Sequence, residues 1–343
     1  MTTYDLLLIG YGNVAKRFAA LLDEQRDVLA REYGFRARII GIATRHGRAY
    51  GTSVVSGFSR TVGPPKGGHY QASVLPFLRD ALKRSAAAAR QRRLIVIETT
   101  TLDIERGEPA IQHIRTALTG GAHVITANKG PVAFAYGALA RAAERADRRF
   151  LFEGAVMDGV PVFNLVRETM PTSVVQRFRG IVNSTTNHIL TALEDGEEFA
   201  PALARMQALG IAEADPSLDV DGWDAAAKAA ALANVFMGAG ITPQDVVREG
   251  LGPDTAERAR EARARGQRLR LVASGARGQR PSVALTELPP DDLLAGLRGQ
   301  ANALIVTTDI LGDIAICQLD GDLRHTAYAL LSDLVTVRRR AGA

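Results

Sequence analysis

The chain of 343 residues is too long for one ordinary hydrophobic core and points to about two domains. Its 46% hydrophobic and 23% charged residues are those of a soluble globular protein, and Cys317, the single cysteine, excludes an internal disulfide or a four-cysteine metal cage. The net charge of +5 comes from scattered basic residues, with short runs only at 90–93 and 338–340, so it suits an anionic small ligand better than nucleic acid.

The N-terminus shows no basic-then-apolar leader, and the alanine-rich stretch 225–241 is interrupted by Lys228 and Asn234. A cytoplasmic protein acting on a small molecule, without nucleic-acid or membrane partners, is therefore expected. In chain order, "DLLLIG" (5–10) reads as a short buried strand, followed by a helix from Asn13 to Leu22. "ARIIGIA" (37–43) is a second strand, 44–69 is Gly/Ser-rich and irregular, and a helix spans about 71–92. "RLIVIE" (93–98), "HVITAN" (123–128) and "RFLFE" (149–153) are three more strands, with helices at 109–121 and 132–147 between them. Strands alternating with helices predict a doubly wound parallel sheet with right-handed crossovers, over residues 1–150.

Beyond Gly159 the pattern changes. Helices at about 159–168, 186–194, 200–209 and 222–237 mix with β-type runs at 174–182, 269–274, 282–285, 303–308 and 313–318. That predicts a mixed α+β second domain over 151–324, with an Arg/Glu-rich surface helix in 250–268. The amphipathic stretch 325–337, within the terminal segment 325–343, is expected to pack back on the first domain.

"LLLIGYGNVAKRF" holds Gly10, Gly12 and Ala15, the G-x-G-x-x-A form of the dinucleotide fingerprint. Glycine serves a tight turn at Gly10, and at Gly12 it lets backbone approach a pyrophosphate; a small residue then lets helix close on strand. The helix start at Asn13 and Val14 offers free N–H groups to phosphate. The first domain is thus expected to be of the Rossmann type. At the end of the second strand, "GIATRHGR" supplies Thr44, Arg45, His46 and Arg48 but no acid to hold a ribose 2′-hydroxyl. NADP is the favoured cofactor, with Arg45 on the 2′-phosphate, and NAD stays open.

"GIAEADPSLDVDGWDAAAKAA" (210–230) puts Glu213, Asp215, Asp219, Asp221, Asp224 and Lys228 into a segment whose alanines suggest burial. Asp224 and Lys228 are four apart and share a helix face. An ordinary surface pair of that kind, worth about 0.3–0.5 kcal/mol, is the bland alternative. The alanines at 225–227 and 229–231 argue against it, since they leave little polar face around Lys228. Asp219 or Asp221 is placed to cap the helix, and Glu213 to reach the same pocket from a loop.

That segment, with "HVITANKGPVAF" (123–134), "FEGAVMDGVPVFNLVRE" (152–168) and "GIVNSTTNHILT" (180–191), resembles homoserine dehydrogenases in order and spacing, from Asp5 to about Val337. The resemblance implies NAD(P)-dependent interconversion of L-aspartate 4-semialdehyde and L-homoserine, in threonine and methionine biosynthesis, by a homodimer joined through the second domain. It implies Lys228 as proton donor and acceptor, and Lys129 as a second lysine touching cofactor and substrate. Glu213 and Asp224 would hold the substrate, Asn183 and Thr185 would shape its pocket (or Thr185 cap a helix), and Thr99 and Thr100 would lie by the nicotinamide. Glu153 and the carbonyls of Val156, Asp158 and Val160 would hold a monovalent cation such as Na+. Ser184 stands where the family commonly has glycine, and the segment 318–325 lacks the usual glycine-rich loop. An end at Ala343 is expected to mean a short form without a C-terminal regulatory domain. A related amino-acid dehydrogenase of altered specificity and a catalytically silent NADP-binding regulator are the competing readings.

Overall fold

The computed structural model describes residues 1–50, 74–87, 93–208 and 215–340. Two compact units result: Met1–Phe163 with Asp322–Ala343, and Asn164–Gly321. Residues 151–163, placed with the second domain by the sequence pattern, group with the first unit.

The first unit runs β1 (Thr2–Ile9), α1 (Asn13–Glu24), α2 (Arg26–Tyr33), β2 (Phe35–Thr44), β3 (Gly47–Tyr50), α3 (Val74–Ala87), β4 (Leu94–Glu98), α4 (Ala110–Thr119), β5 (His123–Thr126), α5 (Lys129–Arg145) and β6 (Phe150–Leu151). Its sheet has the order β3-β2-β1-β4-β5-β6, and every pair is parallel except β2–β3. The inner strands are continuous apolar runs because both faces are covered: Leu6 to Ile9 and Ile95 to Ile97 are all wholly buried. One face packs Phe18 and Leu22 of α1 against Ala327, Leu330 and Leu334 of the C-terminal helix (Leu323–Arg340).

The strand β3 is a departure from the irregular stretch expected at 44–69. Arg45 and His46 form a two-residue turn, and Thr44 pairs with Gly47. A short edge strand with alternate residues in water carries no apolar run to announce it. Residues 51–69 lie outside the described part. The helix expected at 159–168 starts only after Pro161, with an α-helical turn at Val162–Asn164 that continues directly into a π-type turn at Leu165–Thr169.

His113 on α4 is buried, which pushes its imidazole pKa down to about 4. The unfolded chain therefore takes the proton more readily than the fold does. Stability on this account is fully present above about pH 6.5 and is lost as pH falls toward 4, by at most about 3 kcal/mol. His113→Gln should flatten the acid side of the stability curve in urea titrations. An unchanged slope between those pH values would assign the acid sensitivity elsewhere.

The second unit contains β7 (Val175–Ile181), α6 (Ser184–Glu194), α7 (Phe199–Ala208), α8 (Trp223–Met237), β8 (Val247–Arg248), α9 (Thr255–Ala264), β9 (Arg268–Ala276), β10 (Ser282–Leu288), β11 (Asn302–Thr308) and β12 (Gly312–Gln318). The sheet order is β12-β11-β7-β9-β10-β8, antiparallel except where β8 meets β10. Helix α8 is largely alanine, the strongest helix former, and Ala225 to Ala227 and Ala229 to Ala233 are buried where it packs on β9. Arg270 and Glu194 form a wholly buried ion pair of 2.6 Å in this unit. Among the described residues no helix is long and apolar enough to cross a membrane.

Candidate active site

In the first unit the site begins where β1 ends. Gly10 has φ +91°, and a Cβ built on it would lie 2.7 Å from the Thr99 carbonyl oxygen, so only glycine fits. A Cβ on Gly12 would meet nothing within 4 Å among the described residues; the open space there lets a ligand come up to the backbone. No side chain caps α1, leaving the first N–H groups of the helix, from Asn13 and Val14, for an anion. Ala15 is wholly buried beneath them. An exposed glycine, an uncapped helix start and a small buried residue fit a dinucleotide's pyrophosphate.

The loops after β4 and β5 are tied together by a residue that the sequence reading missed. Glu98, the last residue of β4, is wholly buried, and burial pushes its carboxyl above the usual carboxylate range. Its Oε1 accepts from the Thr100 N–H at 2.9 Å and from the Thr100 hydroxyl, and its Oε2 accepts from Thr126 Oγ1 at 2.8 Å. Asn128 N–H donates to that same Thr126 oxygen at 3.0 Å, and Asn128 Nδ2 donates to the Thr100 carbonyl at 3.1 Å. Asn128 Oδ1 in turn accepts from Gly130 N at 2.9 Å and caps α5, whose first residue is the half-buried Lys129. Thr99, Thr100 and Lys129 are thus set at the carboxyl edge of the parallel sheet, where ligands bind in such folds. The available signal was an acid closing the otherwise apolar "LIVIE", since a buried carboxylate needs partners.

In the second unit Asp224 opens α8 and Lys228 lies one turn on, with side chains only 12% and 15% exposed. Lys228 Nζ donates to Asp224 Oδ2 at 3.0 Å and to the Val182 carbonyl at 2.5 Å. An ammonium has three N–H groups, so one is left without a partner among the described residues. Asn183 Nδ2 donates to Asp219 Oδ1 at 2.7 Å and Asp224 Oδ2 at 2.8 Å, and its Oδ1 caps α6 by accepting from Thr186 N. Burial, and then the Asp224 charge, push the Asp219 carboxyl up, against hydrogen bonds from Asn183 and Thr185.

Neither Asp219 nor Asp221 caps α8. Gly222 is its N-cap in a left-handed turn (φ +78°), where a Cβ would meet the Glu249 carbonyl at 2.7 Å. That turn leaves Asp219 free to join Asp224 and Asn183 as part of the site. The helix cap at 183–186 is Asn183 rather than Thr185. Glu213 lies outside the described residues.

Residues 161–335 match the family described as homoserine dehydrogenase, and residues 10–153 match the homoserine dehydrogenase NAD binding domain. The NAD(+)-dependent homoserine dehydrogenase of Pseudomonas canavaninivorans is 33% identical, covering 99% of this chain and 98% of that protein. The chain belongs to the homoserine dehydrogenase family. It is an NAD(P)-dependent oxidoreductase acting on a CH–OH group. The homoserine dehydrogenase crystal structure from Thiobacillus denitrificans matches with a TM-score of 0.81 and 27% identity, over 100% of this chain and 74% of that one. A hyperthermophilic archaeal homoserine dehydrogenase in complex with NADPH matches at 0.77 and 27%, over 99% of this chain and 98% of that one.

Two further places matter for a homoserine dehydrogenase. Arg45, at the tip of the β2–β3 turn, is exposed and makes no ion pair among the described residues. The loop carrying Glu153, Val156, Asp158 and Val160 is held from several sides. Glu153 is buried, its Oε1 accepts from Phe163 N at 2.8 Å, and its own N–H donates to Asp333 Oδ2 at 2.9 Å. Val160 O accepts from Val162 N at 2.8 Å. Asp158 Oδ1 accepts from Thr326 Oγ1 at 3.0 Å, and Gly159 lies so close to His325 that a Cβ would come within 2.6 Å of its carbonyl. The start of the C-terminal helix thus fastens this loop, although the usual glycine-rich sequence before it is missing.

Proposed function

We propose that the chain interconverts L-homoserine and L-aspartate 4-semialdehyde, with NADP preferred over NAD, and that the Asp219–Asn183–Asp224–Lys228 cluster carries the amino-acid chemistry. The bound nicotinamide supplies or takes the hydride. Lys228, steadied by Asp224 and the Val182 carbonyl, gives a proton to the substrate oxygen as the aldehyde is reduced and takes it back on oxidation. Asp224 and Asp219 put carboxylates where the substrate's α-ammonium would sit, with Asn183 bonded to both and Thr185 to Asp219; the Glu213 assigned to the same group by the sequence lies outside the described residues. Holding that group supplies several kcal/mol through positioning alone. Lys129 opens the helix α5 whose start the Glu98–Asn128 network fixes, and its assigned role is on the cofactor. The carrying observation is a nearly buried lysine beside two carboxylates, with one N–H to spare among the described residues. Purified protein should reduce NADP when given L-homoserine. No turnover with homoserine or the semialdehyde, under either cofactor, would retire the reading.

The preference for NADP rests on Arg45 and on the missing acid between Thr44 and Arg48, because one homologue is NAD(+)-dependent and another binds NADPH. Arg45→Asp should weaken NADP by about tenfold or more, the scale of one charge-assisted contact, and leave NAD nearly unaffected. Equal losses would remove the 2′-phosphate argument. A monovalent cation at Glu153 and the carbonyls of Val156, Asp158 and Val160 would balance a buried carboxylate; activity unchanged in tetramethylammonium salts would argue against it. A homodimer through the second unit would cover Ile310, Leu311 and Leu319, exposed apolar residues flanking the edge strand β12, and a monomeric mass by light scattering would refute it.

A further inference from the structure

The first unit's sheet has a second edge, where its parallel strands begin. Thr2 opens β1, Arg93 precedes β4, His123 opens β5 and Arg149 precedes β6. The five residues of β4 separate this edge from Thr99, roughly 16 Å at a strand's rise. A cavity of about 290 Å³ lies at this edge, and five guanidinium groups line it: Arg93, Arg148, Arg149, Arg338 and Arg340.

Among the described residues the only carboxylate in the lining is Asp147, which is well exposed and 3.9 Å from Arg148. Arg93, Arg149 and Arg338 form no ion pair among the described residues, and Arg338 Nε is buried without a hydrogen-bond partner. Like charges gathered in a concave, partly enclosed place repel one another and concentrate counter-ions. A buried N–H left unsatisfied adds its own cost. Arginines in the last turn of the C-terminal helix suit the helix dipole, which accounts for Arg338 and Arg340. It does not account for Arg93 and Arg149, which reach the same cavity from two other segments. Both Arg338 and Arg93 also act on the Tyr4 phenol, which burial pushes up and these two charges pull down, so the unmatched charges converge on one wall.

We propose that this cavity is an anion site, separate from the dinucleotide loop, for a small phosphate ester or oligophosphate of diphosphate or triphosphate size. Guanidinium forks match phosphate oxygens two at a time, and several unmatched arginines call for a ligand bearing several negative charges. The volume is at the lower end of ligand pockets, as suits a compact anion rather than a drug-sized molecule.

Isothermal titration of the full chain with pyrophosphate and with triphosphate tests this, at fixed ionic strength and with NADP saturating so that the dinucleotide loop is filled. One saturable site per chain is expected, with affinity falling about tenfold or more in the Arg149→Ala/Arg338→Ala double variant. NADP binding should stay as in the parent, which also checks that the variant folds. Arg93→Ala, at an exposed position, should weaken the same site and serves as a second variant. Absence of saturable binding, binding that follows ionic strength alone, or equal binding by both variants and parent would overturn the proposal. Citrate binding as tightly as triphosphate would overturn the phosphate assignment. Capture of an acidic peptide or duplex DNA through these arginines, with no oligophosphate affinity, would do so as well.

Discussion

Lys228→Ala should lower turnover by about 10²–10⁴-fold, the usual contribution of a positioned proton donor, while cofactor affinity measured by fluorescence titration stays at the parent value. In the proposed reaction, hydride reaching a carbonyl carbon leaves an alkoxide, for which the Lys228 ammonium, held by Asp224 and the Val182 carbonyl, would supply the proton. The substitution also takes from Asp224 the cation that balances its charge in a nearly buried place, leaving the Asn183 hydrogen bond, so a loss of stability accompanies the loss of rate. The two effects are separable. A lost proton donor lowers kcat and changes its pH profile in folded protein, whereas unfolding lowers the active fraction and leaves both unchanged per active site. Asp224→Asn keeps the shape but removes the charge that steadies the ammonium, so it should lower kcat less than Lys228→Ala. Turnover close to the parent's in Lys228→Ala would move the proton to another group, with Lys129 the first candidate.

Arg270→Ala should cost about 3–5 kcal/mol, a large part of the stability of an ordinary domain. The guanidinium is wholly buried, 2.6 Å from Glu194 Oε1, and also donates to the carbonyls of Leu269, Ala295 and Leu297. Removing it strands the carboxylate of Glu194, whose Oε2 already has no hydrogen-bond partner, with Arg268 and Arg298 no closer than 3.9 Å. It also takes one donor from each of three carbonyls. The double change Arg270→Met with Glu194→Leu should recover much of the loss, because neither charge then has to be desolvated. Urea unfolding midpoints decide between these outcomes. A single variant with a midpoint near the parent's would mean that water or a neighbouring arginine replaces the lost charge at no cost.

Both functional regions were partly readable in the sequence, and the readable parts are local. Gly10, Gly12 and Ala15 announce their turn because strand, loop and helix follow within a few residues, and Gly10 does take the φ +91° such a turn requires. Asp224 and Lys228 announce each other because one helical turn separates them. The second unit's strands at 175–181, 268–276, 282–288, 302–308 and 312–318 lie close to the β-type runs read from the sequence, since each carries its own apolar pattern.

The residues that organise those pieces were not readable. Asn183 bridges two aspartates 36 and 41 positions away, and Glu153 N–H meets Asp333 across 180. In the sequence Glu98 is only the end of a strand; in the fold its two oxygens bind the segments after β4 and at the end of β5 together. Asp219 looked like a helix cap until Gly222 took that position in a left-handed turn. The sequence by itself determined the elements, the dinucleotide turn and the Asp–Lys face, because each depends on neighbours a few residues apart. Only the tertiary structure decided which distant side chains hold those groups in place. Hydrogen bonds between remote segments impose no period on a chain, and a buried carboxylate can be told from an exposed one only once its surroundings are folded around it.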